Sequence, residues 1–273
     1  MRKVLFLPIV ITAMLLSTAR AADDWKLVWH DEFDTNGPPN PANWNFEHGF
    51  VRNKELQWYQ PENAYCTNGL LIIEARPEHK PNPRFTAGSQ NWATSREWIE
   101  YTSASLTSRR LQEFTYGKFE MRARIDTRLG SWPAFWTLGA APGIHWPACG
   151  EVDIMEFYEH TILANVGYGL DGKTKWLATR KPVSEFGEAW SKEFHIWTME
   201  WDEQKIDLLL DGKLMRHFDI TNADSADQGN PFHRPEYIIL NQAIGANGGD
   251  PSQTSFPIRF EVDWVRVYQH THQ

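Results

Sequence analysis

The chain is most easily approached through what it has little of. Cysteine is nearly missing: Cys66 and Cys149 are the only two in 273 residues. That excludes a disulfide scaffold, while one bridge in an oxidising compartment and two free buried thiols both stay open. Basic charge is in deficit. Lys and Arg number 27 against 35 Asp and Glu, a formal net charge of −8, which argues against nucleic acid or an anionic membrane as the main partner. Beyond residue 21 no stretch reaches the ~18 apolar residues that a membrane span needs. Internal repeats, low-complexity tracts, charge blocks and a sustained 3.6-residue periodicity are missing as well.

The one uninterrupted apolar run is short and sits at the start. Arg2 and Lys3 precede ~13 apolar residues at 4–16, and Ala19 and Ala21 place small side chains at −3 and −1 of a cleavage point. Residues 1–21 therefore read as a signal peptide, with Pro8 against the competing buried helix. Residues 22–273 read as a single domain, secreted or periplasmic. No cysteine follows the run, so no lipid anchor is indicated. Cleavage would leave 24 basic against 35 acidic residues, a charge of −11.

What the chain has in excess is aromatic surface: 14 Trp, 8 Tyr and 15 Phe. A core alone does not call for so many indoles, so an aromatic-rich β protein, an aromatic-lined surface, or both, is expected. The local pattern is β. Residues 70–75 (LLIIEA) follow an Asn68-Gly69 turn. Residues 116–125 alternate, with Phe119, Met121, Ala123 and Ile125 on one face and Lys118, Glu120, Arg122 and Arg124 on the other. Residues 194–201, 205–210 and 213–218 form a meander with an Asp211-Gly212 hairpin signal. Residues 237–243 and 260–268 add two more strands, and 77–89 reads as a surface loop. The fold class expected is an all-β sandwich of two curved antiparallel sheets, one of them concave.

The informative segment is Gly150-Glu151-Val152-Asp153-Ile154-Met155-Glu156-Phe157. With side chains alternating, Glu151 and Asp153 share a face, but Glu156 falls with the apolar set. A lone buried carboxylate is costly, so a β-bulge near Ile154-Met155 is predicted, returning Glu156 to the acid face. Glu151 and Glu156 then lie roughly 13 Å apart at Cα, close enough for their carboxyls to reach the ~5–5.5 Å gap of a retaining glycosidase. Three neighbouring carboxylates do not all ionise freely, which supplies one nucleophile and one acid. A calcium site and a solvated edge are the competing readings; acids in line along a strand do not wrap an ion as a loop does.

Glu151-x-Asp153-x-x-Glu156 resembles the signature of glycoside hydrolase family 16, and the extra Met resembles its laminarinase-like branch. The flanks agree: Gly130-Ser131-Trp132-Pro133-Ala134-Phe135-Trp136, Trp146-Pro147-Ala148-Cys149-Gly150, Asn53-Lys54-Glu55-Leu56-Gln57-Trp58-Tyr59 and the closing Val262-Asp263-Trp264-Val265-Arg266-Val267-Tyr268. The resemblance implies a β-jelly-roll whose concave sheet carries a sugar cleft. Glu151 would be the nucleophile, Glu156 the general acid/base and Asp153 an assisting group in retaining endo-hydrolysis of a β-linked polysaccharide, without a cofactor for catalysis. Trp132, Trp136 and Trp146 are expected to stack on sugar, with Asn53 and Asn165 lining the cleft. Trp197, Trp201 and Trp264 are expected inside. A structural Ca²⁺ away from the cleft would draw on Glu32 and Asp263. Asn165 stands near the place where laminarinase-like members commonly have His, which bears on specificity and not on reaction class. β-1,3-Glucan is the default substrate and N-acetyllactosamine glycans of mucin or keratan type the alternative; transglycosylation and non-catalytic binding rank below. The expected partner is a polysaccharide or oligosaccharide, met by a monomer.

Overall fold

Phe119, Met121, Ala123 and Ile125 are buried and the polar residues between them half-exposed, one by one, as the period of two requires. The protein is described by a computed structural model covering residues 25–187, 189–225 and 229–271; the signal peptide expected at 1–21 lies outside them. Among these residues the strands are β1 (Trp25–Asp31), β2 (Asn45–Phe46), β3 (Gln57–Tyr59), β4 (Ala64–Thr67), β5 (Leu70–Pro81), β6 (Trp98–Ser103), β7 (Ser105–Thr107), β8 (Glu113–Phe114) and β9 (Gly117–Ile125). They continue as β10 (Ser131–Gly139), β11 (Glu151–Tyr158), β12 (Thr161–Leu170), β13 (Lys173–Pro182), β14 (His195–Trp201), β15 (Lys205–Leu210), β16 (Lys213–Asp219), β17 (Glu236–Ile244) and β18 (Ile258–His270). No described helix is long and apolar enough to cross a membrane.

Two sheets result. An outer sheet runs β16-β15-β14-β9-β18-β5-β6-β3, with β1 added to β18 and β4 to β5. A second sheet, here the cleft sheet, runs β13-β12-β11-β10-β17-β7-β2, with β8 beside β17. Pairing is antiparallel except between β3 and β6. The layers meet through one core in which Met121 and Ile125 of β9, Trp197 and Trp201 of β14 and Val265 and Val267 of β18 face Val152, Ile154, Met155 and Phe157 of β11. Each such side chain contributes about 1.5–3 kcal/mol by leaving water. Asp211 and Gly212, with φ of 49° and 72°, make the two-residue turn between β15 and β16.

Two expectations need correction, and one open alternative is resolved. Residues 77–81 are strand, not loop: β5 runs on to Pro81 and pairs with β6, with a register shift between Pro77 and Lys80 where the prolines cannot donate. Trp264 is half-buried, not interior. A register shift between Val262 and Trp264 turns its indole outward, beneath the Arg266 guanidinium 4.1 Å away, while Val262 and Val265 keep the core. Cys66 and Cys149 are free and buried, so of the two open alternatives the unbridged one is found. Burial pushes both thiols up to about 11.

Candidate active site

The predicted bulge is present. On one side of β11, Phe135 pairs with Met155 and Trp136 with Asp153; on the other, Leu163 pairs with Glu156 and Asn165 with Asp153. The extra residue lets Ile154 and Met155 both enter the core and brings Glu156 to the face of Glu151 and Asp153. Asp153 lies between the glutamates along the strand, near enough that each carboxyl perturbs the ionisation of its neighbours.

The three carboxyls are held by donors with little water nearby. Trp132 Nε1 donates to Glu156 Oε1 (2.8 Å), and Asn165 Nδ2 donates to Glu156 Oε2 (2.6 Å) and Asp153 Oδ2 (3.2 Å). Burial and the Glu156 charge push Glu151 up to about 7, against donation from Trp146 and Asp153 and the field of Arg52. Burial and both glutamates hold Asp153 well above the usual carboxylate range. Burial also raises Glu156, although Trp132, Asp153 and Asn165 favour its charged form. Burial and mutual repulsion thus disfavour the fully ionised state of the three acids, as a site that needs one acid and one nucleophile requires.

A cavity of about 620 Å³ opens over this strand, lined by Glu151, Glu156, Trp132, Trp136, Trp146 and Asn53 among others. The structure therefore brings together most of the residues singled out in the sequence. Their exposures differ: Trp146 is 52% exposed, whereas Trp132 and Trp136 are 7% and 8% exposed. Trp136 Nε1 donates to Asn241 Oδ1 (2.8 Å). Asn165 is placed differently from expectation. It is buried beneath the acids and touches them, not the cavity, because its short side chain spans the gap between Asp153 and Glu156.

Glu32 and Asp263 are not brought into this site. Each faces a guanidinium: Arg266 donates to both oxygens of Glu32 (2.9 and 2.8 Å), and Arg122 binds Asp263. Among the described residues no group of three or more His, Cys, Asp or Glu side chains is placed to hold a metal ion. In this structure both carboxylates are paired with guanidinium groups. A further cavity of about 560 Å³ opens on the outer sheet near Arg124, Arg128 and Arg259, but there too each guanidinium has its carboxylate: Glu261, Asp126 and Glu74.

Several lining residues were not singled out from sequence. Arg52 lies over the Trp136 ring at 5.1 Å and binds Glu47; its Nη1 is buried without a partner. Glu55 is a fourth buried acid, raised by burial, accepting from Asn53 (3.2 Å), Gln57 (2.6 Å) and Tyr59 (3.3 Å). Trp176 of β13 and Tyr158 also line the cavity. The signal for Trp176 was a lone indole in an exposed lysine-bearing strand; for Arg52 and Glu55 there was only their place beside Asn53.

The profile of Glycosyl hydrolases family 16 matches residues 55–266. A β-glucanase of Rhodothermus marinus is 35% identical over 98% of this chain and 95% of its own. A keratan-sulfate endo-1,4-β-galactosidase of Sphingobacterium multivorum is 26% identical over 94% of this chain and 58% of its own. Among solved structures, the laminarinase catalytic domain of Thermotoga petrophila superposes with a TM-score of 0.77 at 34% identity, covering 92% of this chain and all of that one. A structure described with the endo-acting O-glycanases that human gut microbiota express to initiate mucin breakdown superposes at 0.83 and 31% identity, covering 91% and 92%.

Proposed function

The chain belongs to glycosyl hydrolases family 16, and on that premise we propose that it cleaves β-linked polysaccharide within the chain with retention of configuration, Glu151 and Glu156 being the reacting pair. It is a glycoside hydrolase by membership. The observation that supports the residue roles is the bulged strand: its register shift brings Glu151, Asp153 and Glu156 to one face, where the Glu156 charge raises both Glu151 and Asp153. Two glutamates reaching from one face of a single bulged strand are compatible with the ~5–5.5 Å carboxyl spacing of double displacement.

In this reading the Glu151 carboxylate attacks the anomeric carbon while Glu156 gives its proton to the departing glycosidic oxygen. Glu156 then takes a proton from the water that attacks the glycosyl-Glu151 ester, and both residues return to their starting state. Asp153 in its protonated form donates to one glutamate at a time, favouring an ionised Glu151 when Glu156 holds its own proton. Trp132 and Asn165 fix the Glu156 carboxyl for both steps.

β-1,3-Glucan is the first substrate, supported by the likeness to the β-glucanase and the laminarinase. A second reading, an N-acetyllactosamine glycan of mucin type, is favoured by the 0.83 superposition on the O-glycanase structure and by Asn165 beside the acid/base. We assign no cofactor to catalysis and expect an exported monomer, the apolar run at 4–16 supporting export. The test is digestion of laminarin, mixed-linkage glucan and N-acetyllactosamine-rich mucin glycans, with the anomer first released read by NMR. A β-anomer from one of these is expected; an initial α-anomer would overturn retention, and cleavage of mucin alone would replace the glucan reading.

A further inference from the structure

Resting on the reading of the cavity as a glycan cleft, we propose that Trp176 is the platform of a sugar-binding subsite beyond Glu151, facing Trp146 across one pyranose unit of the bound chain. The register across three strands places it. Glu151 pairs with Gly167, and Gly167 with Trp176; Glu156 pairs with Leu163, and Leu163 with Arg180. Trp176 thus ends the row that begins at the nucleophile, two strand spacings or roughly 10 Å away. The alternation on β13 is unambiguous. Leu177 packs on the core, while Trp176 lines the cavity and Arg180, four residues on, donates to the cavity-lining Tyr158 (3.1 Å).

Gly167 is what lets the indole lie inward. A Cβ there would come within 2.2 Å of the Trp176 ring, and no left-handed φ requires glycine at that position, so its use is space. Gly169, on the same face, does the same for the other wall: its Cβ would sit 3.1 Å from the Ala148 backbone, in the segment that carries Trp146. Two glycines spaced by two admit an indole and a loop over a strand whose intervening Tyr168 faces the core.

Neither indole is there for packing. Trp176 is 45% and Trp146 52% exposed, and among the described residues neither stacks on another aromatic ring. Half-exposed indoles on a cavity wall, away from the core, suit the apolar C–H face of a pyranose. Two strand spacings from Glu151, Trp176 is assigned to a neighbouring sugar, not the reacting one.

The test uses the Glu156→Gln protein, so that ligand is not consumed, and calorimetry with β-1,3-gluco- and N-acetyllactosamine oligosaccharides of two to six units. Adding Trp176→Ala should weaken the longest bound oligosaccharide about tenfold and the disaccharide little, with Trp176→Phe recovering most of the loss. The thermal midpoint should stay within about 2 °C, since the indole lies off the core. Equal affinity at every length, or no binding of either series to the Glu156→Gln protein, would overturn the subsite. Failure of the catalytic reading is separately visible, as digestion of the oligosaccharide by the Glu156→Gln protein.

Discussion

Strands β9 and β11 are both alternating strands with charged side chains on one face, and they are opposites in what those charges do. On the outer face of β9 and its neighbour β18 the signs are mixed. Arg122 meets Asp263, Arg124 meets Glu261, Lys118 meets Glu120 (3.3 Å), and nearby Arg266 meets Glu32. The Arg266 hydrogen bonds hold the Glu32 carboxyl below its ordinary range. On β11 the charges have one sign and are buried, and all three carboxyls are raised. Alternation alone gives a half-buried strand in both cases. Sign and burial separate a solvated lattice of ion pairs, each worth little, from a row whose charged forms are disfavoured, the setting in which proton-transferring carboxyls are found.

The largest effect that could break the comparison is at the acids themselves. Glu151→Gln or Glu156→Gln should lower turnover of a cleaved polysaccharide by at least about 10³-fold, since each removes a bond-forming or proton-transferring group. Glu120→Gln on β9, an equally conservative change, should leave turnover within about twofold. Steady-state kinetics on the three purified variants decides it; comparable losses on the two strands would erase the distinction.

Asp153 comes next. Its single proton goes to one glutamate at a time and favours the charged form of the one that accepts it. Asp153→Asn keeps a donor and should cost about tenfold in kcat, whereas Asp153→Ala removes it and should cost about a hundredfold. The sign follows from the donation: without it the charged form of Glu151 is less favoured, so the limb of the pH–rate profile near 7 should move to higher pH in Asp153→Ala. A shift to lower pH would mean that Asp153 acts on its neighbours as a charge and not as a donor.

These acids were legible in the sequence because a period of two places them and energetics demands the bulge that realigns Glu156. The paired strands were legible for the same reason, by alternation and by the Asp-Gly turn. What escaped was whatever depends on partners far along the chain. Trp264 looked interior because a bulge is visible only where alternation fails, and Val262 and Val265 keep the core on either side of it. Asn165 looked like a lining residue because its burial follows from its neighbours across β11. Arg52, from the loop before β3, and Trp176, from β13, come to the cavity from segments far apart in the chain, and no local pattern marks the meeting.

Arg96 sharpens the comparison because its charge belongs to neither kind. Among the described residues it pairs with no carboxylate. Its Nη1 and Nη2 donate to the carbonyls of Glu55 (2.6 Å) and Lys54 (2.8 Å), and its plane lies over Phe50 and Trp92. Asn53 and Lys54 have φ of 54° and 55°, two left-handed residues in succession, a strain that something must hold. Arg96→Ala should therefore raise KM about three- to tenfold with a smaller change in kcat, and cost about 1–2 kcal/mol of stability. Arg96→Lys should recover only part, since one ammonium does not span both carbonyls. An unchanged KM in Arg96→Ala would show that the Glu47–Arg52 contact holds the loop alone.

The smallest effect belongs to the outer face, and its smallness is the point. Asp263 and Arg122 are each about a third exposed, so solvent screens the pair and Asp263→Asn should cost no more than about 1 kcal/mol, diminishing further in 1 M salt. Turnover should not change. The same variant decides between the two expectations for this carboxylate. A guanidinium partner predicts a melting temperature indifferent to chelator and to added calcium in wild type and variant alike. A bound cation predicts that chelation destabilises the wild type and that Asp263→Asn abolishes the dependence, because a ligand bound only to the folded state raises stability with its concentration. Differential scanning calorimetry with and without chelator separates them: a midpoint that falls by several degrees would show the outer acids to be metal ligands, and the contrast with β11 would then be between two functional rows.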